Sequence, residues 1–289
     1  MRGLWQHVWI SLVLNCRNRQ ALIFGYVVPL FFLIAFMSIF ATTKDGQINA
    51  ALAAKTMAPL LVISRLGGAC FGMPITLVNE RDRGVWRRYR LTPLGAGTFI
   101  TSTIISRFIL IASSVGMQIA VAMWVYGVHW PKQSLFIFVA FALITLAFIG
   151  VGLIIAGLAN SIGAVQAMGQ SLFLPMIMIG GVGVPLRMLP NWAQDVSLFL
   201  PGRYAVELIE RCYMYDFEWE RAVWRGLTLL LIGCAAVVAG WKLFRWEADE
   251  RLHPKAWSWI VLALATWVGA GILYKVFPVW LATQAAPIP

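Results

Sequence analysis

Residues 135–158 read LFIFVAFALITLAFIGVGLIIAGL, a stretch of 24 residues without a charged side chain. An α-helix rises about 1.5 Å per residue, so it needs about 20 apolar residues to cross the hydrocarbon core of a bilayer. In lipid the backbone must satisfy its own hydrogen bonds, and a helix does this within one segment. The stretch therefore predicts a membrane-spanning helix.

Further apolar stretches of similar length flank this one on both sides. They cover residues 21–40, 56–78, 99–127, 162–186, 222–241 and 257–277. Over the whole chain 60% of the 289 residues are hydrophobic and 12% are charged, whereas a soluble domain carries about 25% charged residues. The sequence therefore predicts an all-α polytopic integral membrane protein with seven spans and no separate soluble domain.

The distribution of basic residues predicts the orientation, because cytoplasmic loops of membrane proteins are enriched in lysine and arginine. If the N-terminus lies inside, twelve basic side chains fall in inner segments and eight in outer segments. The densest block, five arginines between residues 81 and 90, then lies in a short inner loop. We expect a multi-pass protein of the inner (plasma) membrane, with a cytoplasmic N-terminus and an external C-terminus.

Residues 1–20 precede the first predicted span and have their own pattern. Trp5, Val8, Trp9 and Leu12 recur at helical spacing, and polar residues fall largely on other faces. This pattern predicts an amphipathic helix that lies on the inner membrane surface, in contact with membrane lipid. A helix that also touches a cytoplasmic partner is an equal alternative.

A charged inner loop follows the second predicted span. Residues 79–94 read NERDRGVWRRYRLTPL. Gly84 can break or bend a helix there, and Pro93 would end one. A short charged helix on a tight loop is suited to docking into a cleft on a soluble partner. A basic patch that binds anionic lipid is the alternative interpretation.

This loop resembles the segment after the second span in permeases of the ABC type-2 transporter family, with a pattern near E-x-E-R-G-T-x-E-R-L-x-x-T-P-L. The matching residues are Glu80, Asp82, Arg83, Gly84, Arg88, Thr92, Pro93 and Leu94. Trp86 departs from the pattern, as does Arg87, where the family often has an acid. The resemblance implies a coupling element that meets an ATP-binding cassette subunit. Its candidate residues are Glu80, Asp82, Arg83, Gly84, Arg87 and Arg88.

The outer loop between the fifth and sixth predicted spans carries a second match. Residues 185–211 are amphipathic in two pieces separated by Pro201 and Gly202, so we expect two short helices resting on or dipping into the outer leaflet. The loop resembles the family pattern L-P-x-W-x-Q-x-x-S-x-x-x-P-x-x-Y-A-V-E. The matching residues are Leu189, Pro190, Trp192, Gln194, Ser197, Pro201, Tyr204, Ala205, Val206 and Glu207. The resemblance implies a re-entrant outer hairpin, with Trp192, Pro201, Tyr204 and Glu207 as candidate gate residues.

The resemblance extends over about residues 1–250. Within it, residues 21–250 would form the six-span transmembrane domain, and residues 251–289, with a seventh span, would be an addition. The family also implies a type V exporter-like dimer, made with a second copy or with a related permease. Two ATP-binding subunits would lie below this dimer.

One charge falls inside a predicted span. Arg65 lies near the middle of residues 56–78, where an unpaired charge costs several kcal/mol. We hypothesise that it pairs with Glu207 or Glu210, the nearest acids on the outer side. An arginine whose head group extends to the interface is the alternative.

Several function classes lack their sequence signatures. No G-x-x-x-x-G-K-[ST] loop occurs, so we expect ATP and Mg²⁺ on a separate subunit and no cofactor bound by this chain. The histidines and cysteines have no metal-site spacing, and no basic domain suggests nucleic acid. The twelve acids lie outside the predicted spans, whereas a secondary carrier usually keeps a carboxylate near the midplane.

The leading hypothesis is the permease subunit of an ATP-driven ABC exporter. Its substrate would be apolar or amphiphilic, such as a drug, lipid, glycan or peptide, and the chain itself would not be an enzyme. The alternatives are a non-transport membrane enzyme or assembly factor, or a secondary carrier.

Overall fold

The computed structural model describes residues 2–17, 19–42, 47–86, 95–130, 133–184, 186–213, 219–245 and 255–276. Helices dominate these ranges. They are α1 (Arg2–Arg17), α2 (19–40), α3 (50–82), α4 (Ala96–Tyr126), α5 (Ser134–Leu158), α6 (Ile162–Met178), α7 (Asn191–Ser197), α8 (Pro201–Tyr213), α9 (Trp219–Lys242) and α10 (Ala256–Val276). Helices α2 and α3 each contain a π-helical turn, at Ile23–Val27 and Gly68–Gly72.

In the described ranges, five helices are long and apolar enough to cross a membrane, namely α3, α4, α5, α9 and α10. Two shorter apolar helices accompany them, α6 and the segment Gly25–Phe40 of α2. The predicted all-α polytopic membrane architecture is confirmed. The number of seven spans stays a prediction, because the apolar segment Gly25–Phe40 of α2 and the 17-residue helix α6 are both shorter than the about 20 residues that a crossing needs.

Helix α6 ends at Met178, earlier than the stretch 162–186 predicts. Gly180 follows, and Gly181 has a φ of 74°, a left-handed conformation that glycine adopts without steric cost. The chain bends from here to residue 184. Hydropathy could not show this end, because glycine is apolar and yet terminates helices.

Helices α5 and α9 pack together along most of their length. Four glycines lie at this contact, each against a residue of the opposite segment. The pairs are Gly150–Ala236, Gly157–Leu243, Gly233–Ala147 and Gly240–Leu153. A Cβ atom at any of these glycines would come within 3.0 Å of its neighbour. In lipid, small residues of this kind hold helices together by letting their backbones approach closely, so the two helices form a unit that we call the α5–α9 pair.

Replacing Gly240 by alanine is expected to destabilise the protein by about 1–3 kcal/mol, because the added methyl group overlaps Leu153. Thermal unfolding of the purified protein in detergent, followed by tryptophan fluorescence, measures the effect. Gly116→Ala in α4 is the matched control, since a Cβ there meets nothing within 4 Å. Equal unfolding temperatures for the two variants would contradict the close packing of the α5–α9 pair.

Helix α1 packs against the start of α4, and His7 and Val8 of α1 are buried. The Nδ1 atom of His7 lies 2.8 Å from the Ser102 hydroxyl, and burial lowers the pKa of the ring. Trp5 and Trp9 are exposed. The predicted helix is present, but its apolar face is divided: Val8 is buried together with a histidine, and the tryptophans are exposed.

Candidate functional site

The charged loop, which the sequence predicts on the inner side, begins where α3 ends, at Asp82. Gly84 has a φ of 68° and lies in a turn, so the helix breaks there as the sequence predicts. Asp82 and Arg83 are exposed at the tip of this turn. The candidate residues Arg87 and Arg88 lie outside the residues that the structure describes. We call residues 80–86 the coupling turn.

Trp86 fixes the coupling turn against the bundle. Its side chain is only 3% exposed, and its ring stacks on Phe244 with 5.1 Å between the ring centroids. Phe99 of α4 packs edge-on against the same indole. The indole N–H donates to the Glu80 carboxylate at 3.4 Å, so Glu80 belongs to the anchored base of the turn. Trp86, which departs from the family pattern, thus holds the coupling turn in place.

Arg81, the residue between the candidates Glu80 and Asp82, is buried. Its guanidinium donates to the backbone carbonyl of Ala156 at 3.3 Å and to that of Ala159. These carbonyls lie at the C-terminal end of α5, where a helix has no backbone donors of its own and carries partial negative charge. Arg81 therefore ties the end of α3 to the end of α5.

Arg245 caps the same helix end from the other side. It follows α9 and donates to the carbonyl of Gly157 at 2.9 Å and to the side chain of Asn160 at 2.8 Å. Sequence-based reasoning missed Arg81 and Arg245, because both read only as positive inner charge. The signal that could have found them is the need for donors where a long apolar helix such as α5 ends.

Helices α7 and α8 form a hairpin in which α7 ends at Ser197 and α8 begins at Pro201. We call it the outer hairpin after the side on which the sequence predicts it. Trp192 of α7 is exposed, whereas Pro201 and most of α8 are buried. Helix α8 packs against α3, α5 and α9. The expected place of the hairpin on or in the outer leaflet stays a prediction. Helix α8 itself is inserted among the longer helices. Its apolar residues explain this, because they are buried there against the core.

Glu207 lies between two arginines. One carboxylate oxygen accepts from Arg203 at 3.0 Å, and the other pairs with Arg225 of α9. Arg203 also donates to the Ser197 hydroxyl at 2.6 Å. Burial alone would raise the pKa of Glu207, but the charges of Arg225 and Arg203 outweigh it and hold the pKa below its usual value. The ionised carboxylate thus joins α8 to α9, and Arg203 joins α8 to α7.

Tyr204 is the fourth candidate of the outer hairpin and is fully buried. Its hydroxyl donates to the backbone carbonyl of Leu198, which closes the turn between α7 and α8. Burial raises the pKa of this hydroxyl, so it stays protonated and keeps donating. Tyr204 therefore holds the shape of the hairpin.

Helix α10 covers the hairpin with its C-terminal end. The ring of Tyr274 lies 4.9 Å from that of Tyr204, and Gly271 lies directly against the ring of Phe199. An ion pair at the surface joins the Lys275 ammonium to Asp195 of α7 at 3.1 Å. The glycines that interrupt the last apolar stretch are thus compatible with a helix, and one of them makes room for the hairpin.

The predicted pairing of Arg65 with the hairpin acids is wrong. The guanidinium lies over the ring of Phe141 of α5, 4.0 Å from its centroid, and donates to the carbonyl of Leu61 at 2.8 Å. Both oxygens of Glu207 are occupied by other arginines. A buried cation–π contact stabilises by about 2 kcal/mol. The partner of the Arg65 guanidinium is therefore an aromatic ring and not a carboxylate.

The charged contacts of the described residues thus concentrate at the two ends of the bundle, in the coupling turn and in the outer hairpin. Within these residues, no group of three or more His, Cys, Asp or Glu side chains could hold a metal ion.

The model of the ABC-2 type transporter family matches residues 2–214, which include both the coupling turn and the outer hairpin. The chain belongs to this family.

Curated relatives of this ABC-2 chain are similar at low identity. The probable multidrug ABC transporter permease YbhR of Escherichia coli K12 is 22% identical over 174 residues, which are 59% of this chain and 46% of that protein. The linearmycin resistance permease protein LnrN of Bacillus subtilis is 24% identical over 131 residues, 45% of this chain and 34% of that protein. The chain thus spans less than half the length of these relatives.

A third relative is matched over more of its own length. The putative transport permease YvfS of Bacillus subtilis is 22% identical over 191 residues, which are 64% of this chain and 75% of that protein. No solved structure matches the chain.

The ABC-2 family match ends at residue 214 and so includes the coupling turn and the whole outer hairpin. Helices α9 and α10 follow the matched region. The region after the match nevertheless contributes to both ends of the bundle. Arg245, which follows α9, binds the end of α5, and Arg225 and Tyr274 contact the hairpin.

Proposed function

We propose that this chain is the membrane-spanning subunit of an ATP-driven exporter, coupled to a separate ATP-binding cassette subunit that holds ATP and Mg²⁺. The observation that carries the proposal is the form of the coupling turn. Its tip, Asp82 and Arg83, is exposed and charged, whereas its base is anchored by Arg81 and Trp86. An exposed tip can bind a soluble partner, and an anchored base can pass a displacement of that tip to the helices.

The proposed substrate is apolar or amphiphilic. Two relatives are named as a probable multidrug permease and a linearmycin resistance permease, and both names fit substrates of this kind. We further propose that the coupling turn lies in the cytoplasm and the outer hairpin on the far side of the inner membrane. The transport route would form between this chain and a second copy or a related permease.

Reversing both charges at the tip, with Asp82→Arg and Arg83→Glu, is expected to weaken binding of the ATP-binding subunit by about tenfold or more, equivalent to about 1.4 kcal/mol. The measurement is the amount of that subunit which co-purifies with the tagged chain from its native cells. As a control, exchanging the charges of the exposed pair Asp195 and Lys275 keeps their attraction at the opposite end and should leave co-purification unchanged.

Two results would contradict the proposed function. One is a wild-type chain that purifies without any ATPase. The other is a cysteine at position 83 that reacts with a membrane-impermeant maleimide from the external side of intact cells, because the coupling turn would then be outside.

A further inference from the structure

The coupling turn and the outer hairpin are joined to opposite ends of one structural unit, the α5–α9 pair. Helices α5 and α9 contain 25 and 24 residues, so the pair extends over about 36 Å at about 1.5 Å per residue. The glycine contacts bring the two helices into close packing, and close-packed interiors transmit strain because they compress little. A push on one end of the pair therefore moves the other end.

The inner end of the pair is held by the coupling turn through Arg81. Its guanidinium donates to two carbonyls at the end of α5, and Arg245 joins the same helix end to the segment after α9. The contacts are directional hydrogen bonds to backbone atoms, which move only if the helix moves. Trp86 supports the turn by packing on Phe244, which also follows α9.

The outer end of the pair is held to the hairpin by a second arginine. Arg225 lies in the second turn of α9 and pairs with Glu207 of α8, and Glu207 also accepts from Arg203. The side chains of Arg225 and Glu207 are 7% and 17% exposed, so water screens this ion pair little. A displacement of α9 therefore carries α8 with it.

We propose that the α5–α9 pair is the transmission element of the transporter, with Arg81 and Arg225 as its positioning residues. A displacement of the coupling turn passes through Arg81 to the end of α5, along the pair, and through Arg225 and Glu207 to the outer hairpin. Arg81 is needed for this transmission and is separate from the exposed tip that binds the ATP-binding subunit. The inference rests on the proposed function and adds to it the route between its two sites.

The test measures movement of the hairpin, so it does not require a known substrate. Spin labels are placed on two exposed outer residues, Asn191→Cys of α7 and Trp124→Cys of α4. Cys16 and Cys234, which are exposed, are replaced by serine, and the buried cysteines are kept. The distance between the labels is measured in the complex with its ATP-binding subunit, without nucleotide and with ATP and vanadate.

We expect the trapped nucleotide to change this distance in the labelled parent and to leave it unchanged in Arg81→Met. The variant should co-purify with its ATP-binding subunit and hydrolyse ATP as the parent does, and its nucleotide-free distance should equal that of the parent. Arg81→Lys, which keeps a charged donor, should recover part of the change. Arg19→Met is the matched control, because Arg19 is an exposed arginine outside the coupling turn.

Three results would overturn the inference. A parental distance change in Arg81→Met would show that transmission bypasses this arginine. Loss of the ATP-binding subunit from the same variant would make Arg81 part of the docking surface. An altered nucleotide-free distance would give it only a structural role. Failure of the proposed function looks different, because the labelled parent itself would then bind no ATPase.

Discussion

Glu207→Ala is expected to destabilise the protein by about 3–5 kcal/mol, the usual result of removing one partner from a buried ion pair. The substitution leaves Arg203 and Arg225 side by side with little access to water. Their mutual repulsion then acts at the contact between α8 and α9. Thermal unfolding in detergent measures the loss, and limited proteolysis after residue 185 should detect release of the hairpin.

The exposed ion pair of the same region provides the control for Glu207. Asp195 and Lys275 have side chains that are 57% and 59% exposed, so Asp195→Asn should change stability by less than about 1 kcal/mol. If Glu207→Ala and Asp195→Asn had similar effects, the buried arginine cluster would not stabilise the hairpin.

The Glu207 cluster also predicts a pH dependence. The pKa of the carboxyl group is lowered in the folded protein, so its stabilising effect is complete above the unfolded value of about 4.5 and is lost as the pH falls through the lowered folded value. At neutral pH the hairpin is therefore insensitive to small pH changes. Unfolding temperatures measured between neutral and acidic pH should fall only below about pH 4.5 in wild type, and this fall should be smaller in Glu207→Gln.

Gly271→Val is expected to detach α10 from the hairpin and to destabilise the protein by about 1–3 kcal/mol or more, as overpacking in a tight site does. A Cβ at this position would overlap the ring of Phe199, and the two γ-methyl groups of valine would enlarge the clash. The adjacent contact between Tyr274 and Tyr204 would open with it. The unfolding temperature in detergent, measured with Phe199 kept in place, gives the size of the effect.

Gly269→Val is the matched control for the change in α10. Gly269 lies two residues earlier in the same helix, and a Cβ there meets nothing within 4 Å. Both substitutions put the same β-branched residue into a helix interior, so the change in helix propensity is the same in the two variants. An equal loss of stability in both variants would show that the effect comes from the lower helix propensity of valine, and it would contradict the contact with Phe199.

Apolar length was sufficient to predict the long helices. Helix α5 lies within a residue of the predicted stretch 135–158, and α10 forms in spite of Gly269 and Gly271. A bilayer allows few backbone conformations, so these elements depend little on tertiary contacts. The end of α6 depends instead on the conformation of Gly181, and hydropathy carries no information on that angle.

Charged contacts were harder to predict, because a sequence shows which charges exist and not which atoms they meet. Arg65 was expected to find an acid, but its partner is Phe141, an aromatic ring that resembles any other apolar residue in a predicted span. Arg81 and Arg245 bind backbone carbonyls, and the sequence does not show which carbonyls are available to them. The candidates Glu207 and Tyr204 were found because the family resemblance marked them, while their neighbour Arg225 lies outside that pattern.

The contact between Arg65 and Phe141 has a consequence for how the chain enters the membrane during synthesis. Helix α3 leaves the ribosome well before α5, so its central arginine reaches the translocon without its aromatic neighbour. Insertion of an arginine at the centre of a helix costs about 2.5–3.5 kcal/mol on the biological scale. We therefore expect α3 to be retained beside the insertion machinery until α5 arrives, so that the two helices enter the lipid together.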